Sequence, residues 1–196
     1  MKSLVLIIAL SLTFVITSCK SKTPPEITDQ VKSGLKSDAQ NFMKTLKGVL
    51  IREIESKGII NAVSVCSDTA QLMTNNYGVQ KGIFIKRVSF KNRNPVNKPD
   101  EIESNALKKF EELKAEGKLN PETAYFETIE EEGVTKVRYL VPIILQPECL
   151  NCHGDWNAMD PEVKKIISDK YPEDKAVDYK VGDLRGAVSI EKVISK

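Results

Sequence analysis

Apolar side chains recur every three or four residues from Glu26 to about Lys57. This spacing predicts one face of a long amphipathic helix, with Gly58 as its C-terminal cap. A second helix is expected over residues 59–77, closing at Gly78. The folded part of the chain is therefore expected to begin with two consecutive helices.

The pattern changes to that of a strand over residues 82–90. Residues 91–100 contain two prolines, which is typical of a turn-rich loop. Asp100 and Glu103 have the spacing of a capping box, which predicts a helix that runs to about Glu116.

Two further strands are expected over residues 123–130 and 134–145, paired around a turn that contains Gly133. Pro142 lacks a backbone donor, so the second strand should have an edge or a bulge at that position. A short helix is expected over residues 160–171, and a last strand over residues 184–194. This element order predicts an α+β domain, with an antiparallel sheet and helices packed around it.

The N-terminal segment has the pattern of an export signal. Residues 4–16 are almost entirely apolar, yet they fall short of the roughly 20 residues that span a bilayer. The run ends in Ile16-Thr17-Ser18-Cys19, which resembles a bacterial lipobox, where the signal is cut before a lipidated cysteine. An uncleaved membrane helix is the alternative.

If the lipobox interpretation is right, the chain consists of a lipoprotein signal peptide over residues 1–18, a lipidated tether over 19–25 and a single domain over 26–196. We expect the mature protein to be exported to the bacterial cell envelope, on the periplasmic or outer-membrane side. The lipid on Cys19 would hold it at the membrane.

Composition narrows the possible functions. The 29 Lys and Arg residues nearly balance the 27 Asp and Glu residues, and this small net charge argues against a nucleic-acid binder. The apolar fraction of 41% excludes a disordered chain. The single histidine excludes sites that need two histidines, such as a bis-His haem or a Cys₂His₂ finger.

The sequence Cys149-Leu150-Asn151-Cys152-His153 is CxxCH, the signature of c-type haem attachment. Two thiols at this spacing can reach the two vinyl groups on one edge of a porphyrin, and the adjacent imidazole can bind the iron. A CxxC redox pair would prefer a thioredoxin-like βαβ setting, which the element order lacks. A zinc site would need further ligands, and only Cys66 remains. We therefore expect one covalent haem c, with Cys149 and Cys152 as its attachment points.

The second axial position is open at this stage. Cys66 has no intramolecular partner in an oxidising compartment, although it could also be a small buried apolar side chain. Ala62 and Ala70 lie four residues on either side of Cys66 and would leave a shallow helix surface for a flat ring. The candidates opposite His153 are Cys66, Met43, Met73, Met159, a lysine amine, water, or no ligand.

Several stretches together resemble a known family, the monohaem c-type cytochromes with a PAS-like fold, which also occur as extracytoplasmic sensor modules of bacterial receptors. The matching segments are AVSVC at 62–66, IKRVS at 85–89, RNPVNKPD at 93–100, YLVPI at 139–143 and CLNCHG at 149–154. The resemblance covers roughly residues 35–195. It implies His153 and Cys66 as the two axial ligands, and a PAS-like antiparallel sheet with the haem held against it.

Basic residues near the expected pocket are candidates for binding the haem propionates, since arginine binds carboxylates in bidentate fashion. They are Lys86, Arg87, Arg93 and Arg138. Arg87 and Arg93 rank first because they lie within the family-like segments.

The resemblance leaves two roles that the sequence does not separate. The first is redox or ligand sensing through a separate protein partner, because signalling members carry an output module and this chain is expected to end with the domain. The second is low-potential electron transfer, since an anionic thiolate ligand stabilises ferric iron. A haem enzyme, such as a peroxide reductase, is disfavoured because no second histidine can act as a distal acid–base group. We therefore expect no catalytic residues.

Overall fold

The computed structural model describes residues 27–195. The predicted signal peptide, the tether and Cys19 lie outside these residues. No helix within 27–195 combines the length and the apolar character needed to cross a membrane.

The first element is the long helix α1, Asp29–Lys81, which Thr28 caps through its side chain. At Gly58 the backbone leaves helical geometry, with φ 80° and ψ 172°, and the helix then resumes. The expected break at Gly58 is therefore confirmed. The expected end at Gly78 is wrong, since the helix continues to Gly82, which has φ 63°.

Gly78 serves a packing role instead of a terminal one. A Cβ atom there would lie 2.8 Å from the carbonyl oxygen of Ile83, so only glycine lets the helix approach the start of the first strand this closely.

A single sheet of four antiparallel strands has the order β1-β4-β3-β2. The strands are β1 Phe84–Val88, β2 Tyr125–Glu131, β3 Val134–Ile144 and β4 Leu184–Ser195. Glu132 and Gly133 connect β2 to β3, and both have positive φ, as a tight hairpin turn requires.

Pro142 lies where the sheet can accept a missing donor. The pairing of β2 with β3 stops at Tyr125 and Leu140, so Pro142 has a partner, Ala187, on one side only. The register shifts just beyond it, between Ile143 and Ile144. The expected edge position and irregularity are both confirmed.

Within residues 27–195, three further α-helices and two 3₁₀ turns accompany α1 and the sheet. They are the turn Pro95–Asn97, α2 Glu101–Ala115, the turn Pro147–Cys149, α3 Leu150–His153 and α4 Pro161–Lys170. The capping box of α2 is confirmed, since Asp100 accepts from the Glu103 amide at 2.8 Å and Glu103 accepts from the Asp100 amide at 2.9 Å. Asp160 caps α4 as expected.

The two faces of the sheet carry separate apolar clusters. Leu35 and Phe42 of α1 pack against one face, with Val137, Tyr139 and Ile190. On the opposite face, α2 packs through Ala106, Leu107 and Phe110 onto Val88, Leu140 and Ala187. Helix α4 packs against the part of α1 that follows Gly58, where Val163 and Ile167 meet Val63. The predicted α+β architecture, with a long N-terminal helix and flanking helices, is confirmed.

Candidate functional site

A cavity of about 480 Å³ opens between α1, the sheet and the segment around α3. This volume lies in the range of sites that bury a small molecule or cofactor. Most of its wall is apolar. Before Gly58, α1 contributes Leu46, Leu50 and Ile54, and after Gly58 it contributes Ala62, Val63 and Ala70.

The break at Gly58 allows both parts of α1 to line this cavity. Gly58 has a backbone conformation that essentially only glycine adopts, and no atom lies near the position of a Cβ. The requirement for glycine here is therefore one of backbone conformation and not of space.

The CxxCH segment forms one side of the cavity. The turn Pro147–Cys149 runs directly into α3, and this short helical stretch turns Cys149, Cys152 and His153 towards the cavity. Neither thiol forms a disulfide with another described cysteine. Burial raises the pKa of the Cys152 thiol to about 11, so in this state Cys152 is a neutral thiol at physiological pH.

A backbone carbonyl orients the His153 ring. Nδ1 of His153 lies 2.6 Å from the carbonyl oxygen of Ala176. A carbonyl can only accept, so Nδ1 carries the hydrogen and Nε2 keeps its lone pair. Burial, together with Arg185 and Arg93, holds the pKa of His153 well below its usual range. The imidazole is therefore neutral, which is the form that binds a metal.

Arg93 connects the CxxCH segment to the loop before β4. Its Nε donates to Asp174 at 3.1 Å, and its Nη2 donates to the carbonyl oxygens of Cys152 at 2.6 Å and Ala176 at 3.3 Å. The Arg93 guanidinium is thus largely engaged by protein groups.

Cys66 lines the same cavity as His153, from the part of α1 that follows Gly58. Burial raises the pKa of the Cys66 thiol, Glu53 adds to this and Arg87 opposes it. Met43 also lines the cavity, whereas Met73 and Met159 are not among the lining residues. Met159 is buried in the cluster between α1 and α4.

The basic residues divide between the two faces of the sheet. Arg87 and Arg93 line the cavity. Arg138 lies on the α2 face, where it donates to Asp100 at 2.8 Å, Glu103 at 3.1 Å and Glu191 at 2.6 Å. Lys86 joins the same group through Glu103 at 2.8 Å. Lys86 and Arg138 are therefore part of a structural ion network that α2 covers.

Among the residues that sequence reasoning missed is a cavity arginine, Arg185, near the start of β4. Its Nη1 donates to the carbonyl oxygen of Lys91 at 3.1 Å, and its guanidinium carbon lies 5.6 Å from the centre of the Tyr179 ring.

The side chains do not supply a closed metal site by themselves. Within the part of the chain that the structure describes, no group of three or more His, Cys, Asp or Glu side chains could hold a metal ion.

These features define an α+β domain that contains a CxxCH motif. One apolar cavity of this domain is lined by a histidine, two adjacent thiols and a third cysteine. The chain belongs to the Tll0287-like family, whose profile matches residues 27–192.

One solved structure, that of the cyanobacterial haem protein Tll0287, has the same fold. It superposes with a TM-score of 0.64 at 23% identity, covering 86% of this chain and 99% of that chain. At this identity the likeness establishes the fold. No curated protein was found to be similar to the chain.

Proposed function

We propose that this protein binds one covalent haem c in the cavity, through thioether bonds to Cys149 and Cys152 and with His153 as an axial ligand. The observation that carries the proposal is that both thiols and the neutral, carbonyl-oriented imidazole of His153 line the same apolar cavity. Tll0287, which shares the fold, is itself described as a haem protein.

The cavity suits a large flat group with an apolar body and a charged edge. Its volume is about 480 Å³, and both parts of α1 present apolar side chains to it. Arg87 lines the cavity, and its buried Nε has no hydrogen-bond partner among the residues that the structure describes. A buried donor of this kind needs an acceptor, which the carboxylate of a bound group would provide.

We assign Cys66 as the second axial ligand. It lines the cavity together with His153 but comes from a different element, α1. Burial and Glu53 raise the pKa of the Cys66 thiol, and Arg87 only opposes this increase. Coordination to a metal deprotonates a thiol, so the thiolate would form when Cys66 binds the iron.

Bound haem would supply an iron that can change its oxidation state. The protein groups would fix its axial ligands and exclude water from its faces. We propose that the chain uses this site in redox or ligand sensing through a separate protein partner. Cys66 lies on the long helix α1. A shift of its side chain would therefore move this helix and change the surface that the helix presents to a partner.

We propose no catalytic role. His153 is the sole histidine, and its Nδ1 already donates to Ala176. No imidazole therefore remains to act as an acid or base at the opposite face of the bound haem.

The sequence of residues 1–19 further supports export and lipidation at Cys19.

Acid–acetone extraction of the purified protein tests the covalent haem. We expect the pigment to stay with the polypeptide in the unmodified chain and in the matched control Cys66→Ser. Cys149→Ser and Cys152→Ser each remove one thioether, so both should weaken retention, and their combination should abolish it. Complete extraction of haem from the unmodified chain would refute the proposal.

A further inference from the structure

Two cations in the cavity wall lack a carboxylate partner. Lys47 pairs with Glu148 at 2.5 Å, and Arg93 pairs with Asp174 at 3.0 Å. Among residues 27–195, Arg87 and Arg185 form no ion pair. The Arg185 guanidinium donates one hydrogen bond to a backbone group, the carbonyl oxygen of Lys91. The buried Nε of Arg87 has no hydrogen-bond partner among these residues. The cavity wall therefore carries two positive charges that have no carboxylate of the described residues within ion-pair distance.

The two arginines come from neighbouring strands at one end of the sheet. Arg87 pairs with Val188 across β1 and β4, and Arg185 lies three residues earlier in β4. Burial lowers the pKa of Arg87, and repulsion from Arg185 lowers it further. The fold thus holds two like charges close together in a partly buried place.

The Arg185 guanidinium is fixed in position before any ligand binds. The carbonyl oxygen of Lys91 accepts from one of its nitrogens, and the ring of Tyr179 lies beside it. A guanidinium has five donor hydrogens, so most of those on Arg185 stay available. Arg87 likewise has its buried Nε without a partner.

Burying two like charges is unfavourable unless an anion compensates them. We propose that Arg87 and Arg185 form a carboxylate-binding pair, with one guanidinium for each of the two propionates of the bound haem. This inference rests on the proposed function. It adds a residue that the family-like motifs do not contain, and it leaves Arg93 with a positioning role, because the Arg93 guanidinium is already held by Asp174 and two carbonyls.

Resonance Raman spectroscopy of the haem-loaded full chain tests the pair, because propionate bending bands respond to hydrogen bonding at each carboxylate. We expect Arg87→Gln and Arg185→Gln each to shift one of the bands, and the double variant to shift both. Arg185→Lys keeps the charge and should restore part of the wild-type position. Lys47→Gln removes a cation that is already paired in the same cavity, and it should leave both bands unchanged.

A second measurement does not depend on covalent loading. In a Cys149→Ser, Cys152→Ser background, haemin and its dimethyl ester bind without thioether bonds. We expect Arg87→Gln or Arg185→Gln to weaken haemin binding about tenfold, the size of one charge-assisted hydrogen bond. Binding of the ester, which has no carboxylate, should not change.

The two proposals fail in different ways. If the unmodified chain carries no haem, the proposed function is refuted. If it carries haem, but the propionate bands of Arg87→Gln and Arg185→Gln coincide with those of the wild type, only the pair is refuted. Equal weakening of haemin and its ester would likewise refute the pair, since the arginines would then act on the apolar body and not on the carboxylates.

Discussion

At the scale of single residues, the carbonyl oxygen of Ala176 connects the iron-binding candidate to the rest of the fold. It accepts from Nδ1 of His153 at 2.6 Å and from Nη2 of Arg93 at 3.3 Å. Asp174 accepts from Nε of Arg93 at 3.1 Å and from the Ala176 amide at 2.8 Å. The orientation of His153 therefore depends on a loop that Arg93 and Asp174 keep in place.

We expect Arg93→Ala to lower the free energy of unfolding by about 3 kcal/mol, because it leaves Asp174 buried without its partner. Urea unfolding measures the change. Lys165→Gln is the control, since it removes an exposed pair with Asp169 that contributes at most about 1 kcal/mol. Equal effects of the two variants would contradict a special role for Arg93.

Of the cysteine and methionine candidates for the second axial position, Cys66 and Met43 line the cavity. We expect Cys66→Ala to turn ferric iron high-spin and to raise the midpoint potential by on the order of 0.1 V, because an anionic ligand stabilises the ferric state. Met73→Leu, on the same helix but away from the cavity, should change neither property. Absorption spectra and redox titration measure both.

The alternative ligand gives the opposite pattern. If Met43→Leu changes the spectrum and the potential while Cys66→Ala changes neither, the ligand is Met43. The argument for a low potential then fails, and electron transfer becomes the better interpretation of the site.

At the scale of elements, α1 shows how one residue shapes the cavity. Gly34 and Gly58 both have open space where a Cβ would lie, but only Gly58 has positive φ. The same chemical change at these two positions should therefore have opposite effects on stability.

We expect Gly58→Ala to cost about 1–3 kcal/mol, since alanine cannot adopt this backbone conformation without strain. Gly34→Ala should instead stabilise the protein by about 0.5–1 kcal/mol, because it lies in regular helix. Urea unfolding of the two variants compares them directly. Stabilisation by Gly58→Ala would mean that the break in α1 is not needed by the fold.

Much of the element order could be predicted because local chemistry dictates it. The Asp100 and Glu103 capping box, Asp160 before Pro161 and the strand boundaries around Gly133 depend on residues that are close in sequence. The end of α1 could not be located in this way. Gly78 has the sequence pattern of a helix cap, but it is glycine because its close contact with Ile83 leaves no room for a Cβ. This contact forms only in the folded structure, so the sequence pattern does not show it.

The site could be predicted only in part for the same reason. The CxxCH spacing is local, so Cys149, Cys152 and His153 could be named from sequence. Which arginine faces the cavity depends on strand register, which places Arg138 under α2 and Arg185 beside the cavity. No local pattern distinguishes these two positions.

At the scale of the whole molecule, residues 1–25 contain the predicted export signal and lipidated tether of the proposed haem domain. We expect Cys19→Ala to block lipidation and leave the signal uncut, so the protein should gain mass relative to the mature wild type. Membrane fractionation and mass spectrometry of the purified protein measure this. Unchanged size and unchanged membrane association in Cys19→Ala would favour the uncleaved membrane helix.

The strand order also has a consequence for the course of folding. Strand β1 has β4 as its sheet neighbour, and Phe84 pairs with Glu191 near the end of the chain. Contacts between such distant residues form slowly, whereas the β2–β3 hairpin closes locally. The wall that contains Arg87 and Arg185 should therefore assemble last. Until this wall has formed, we expect Cys149 and Cys152 to be accessible for covalent modification.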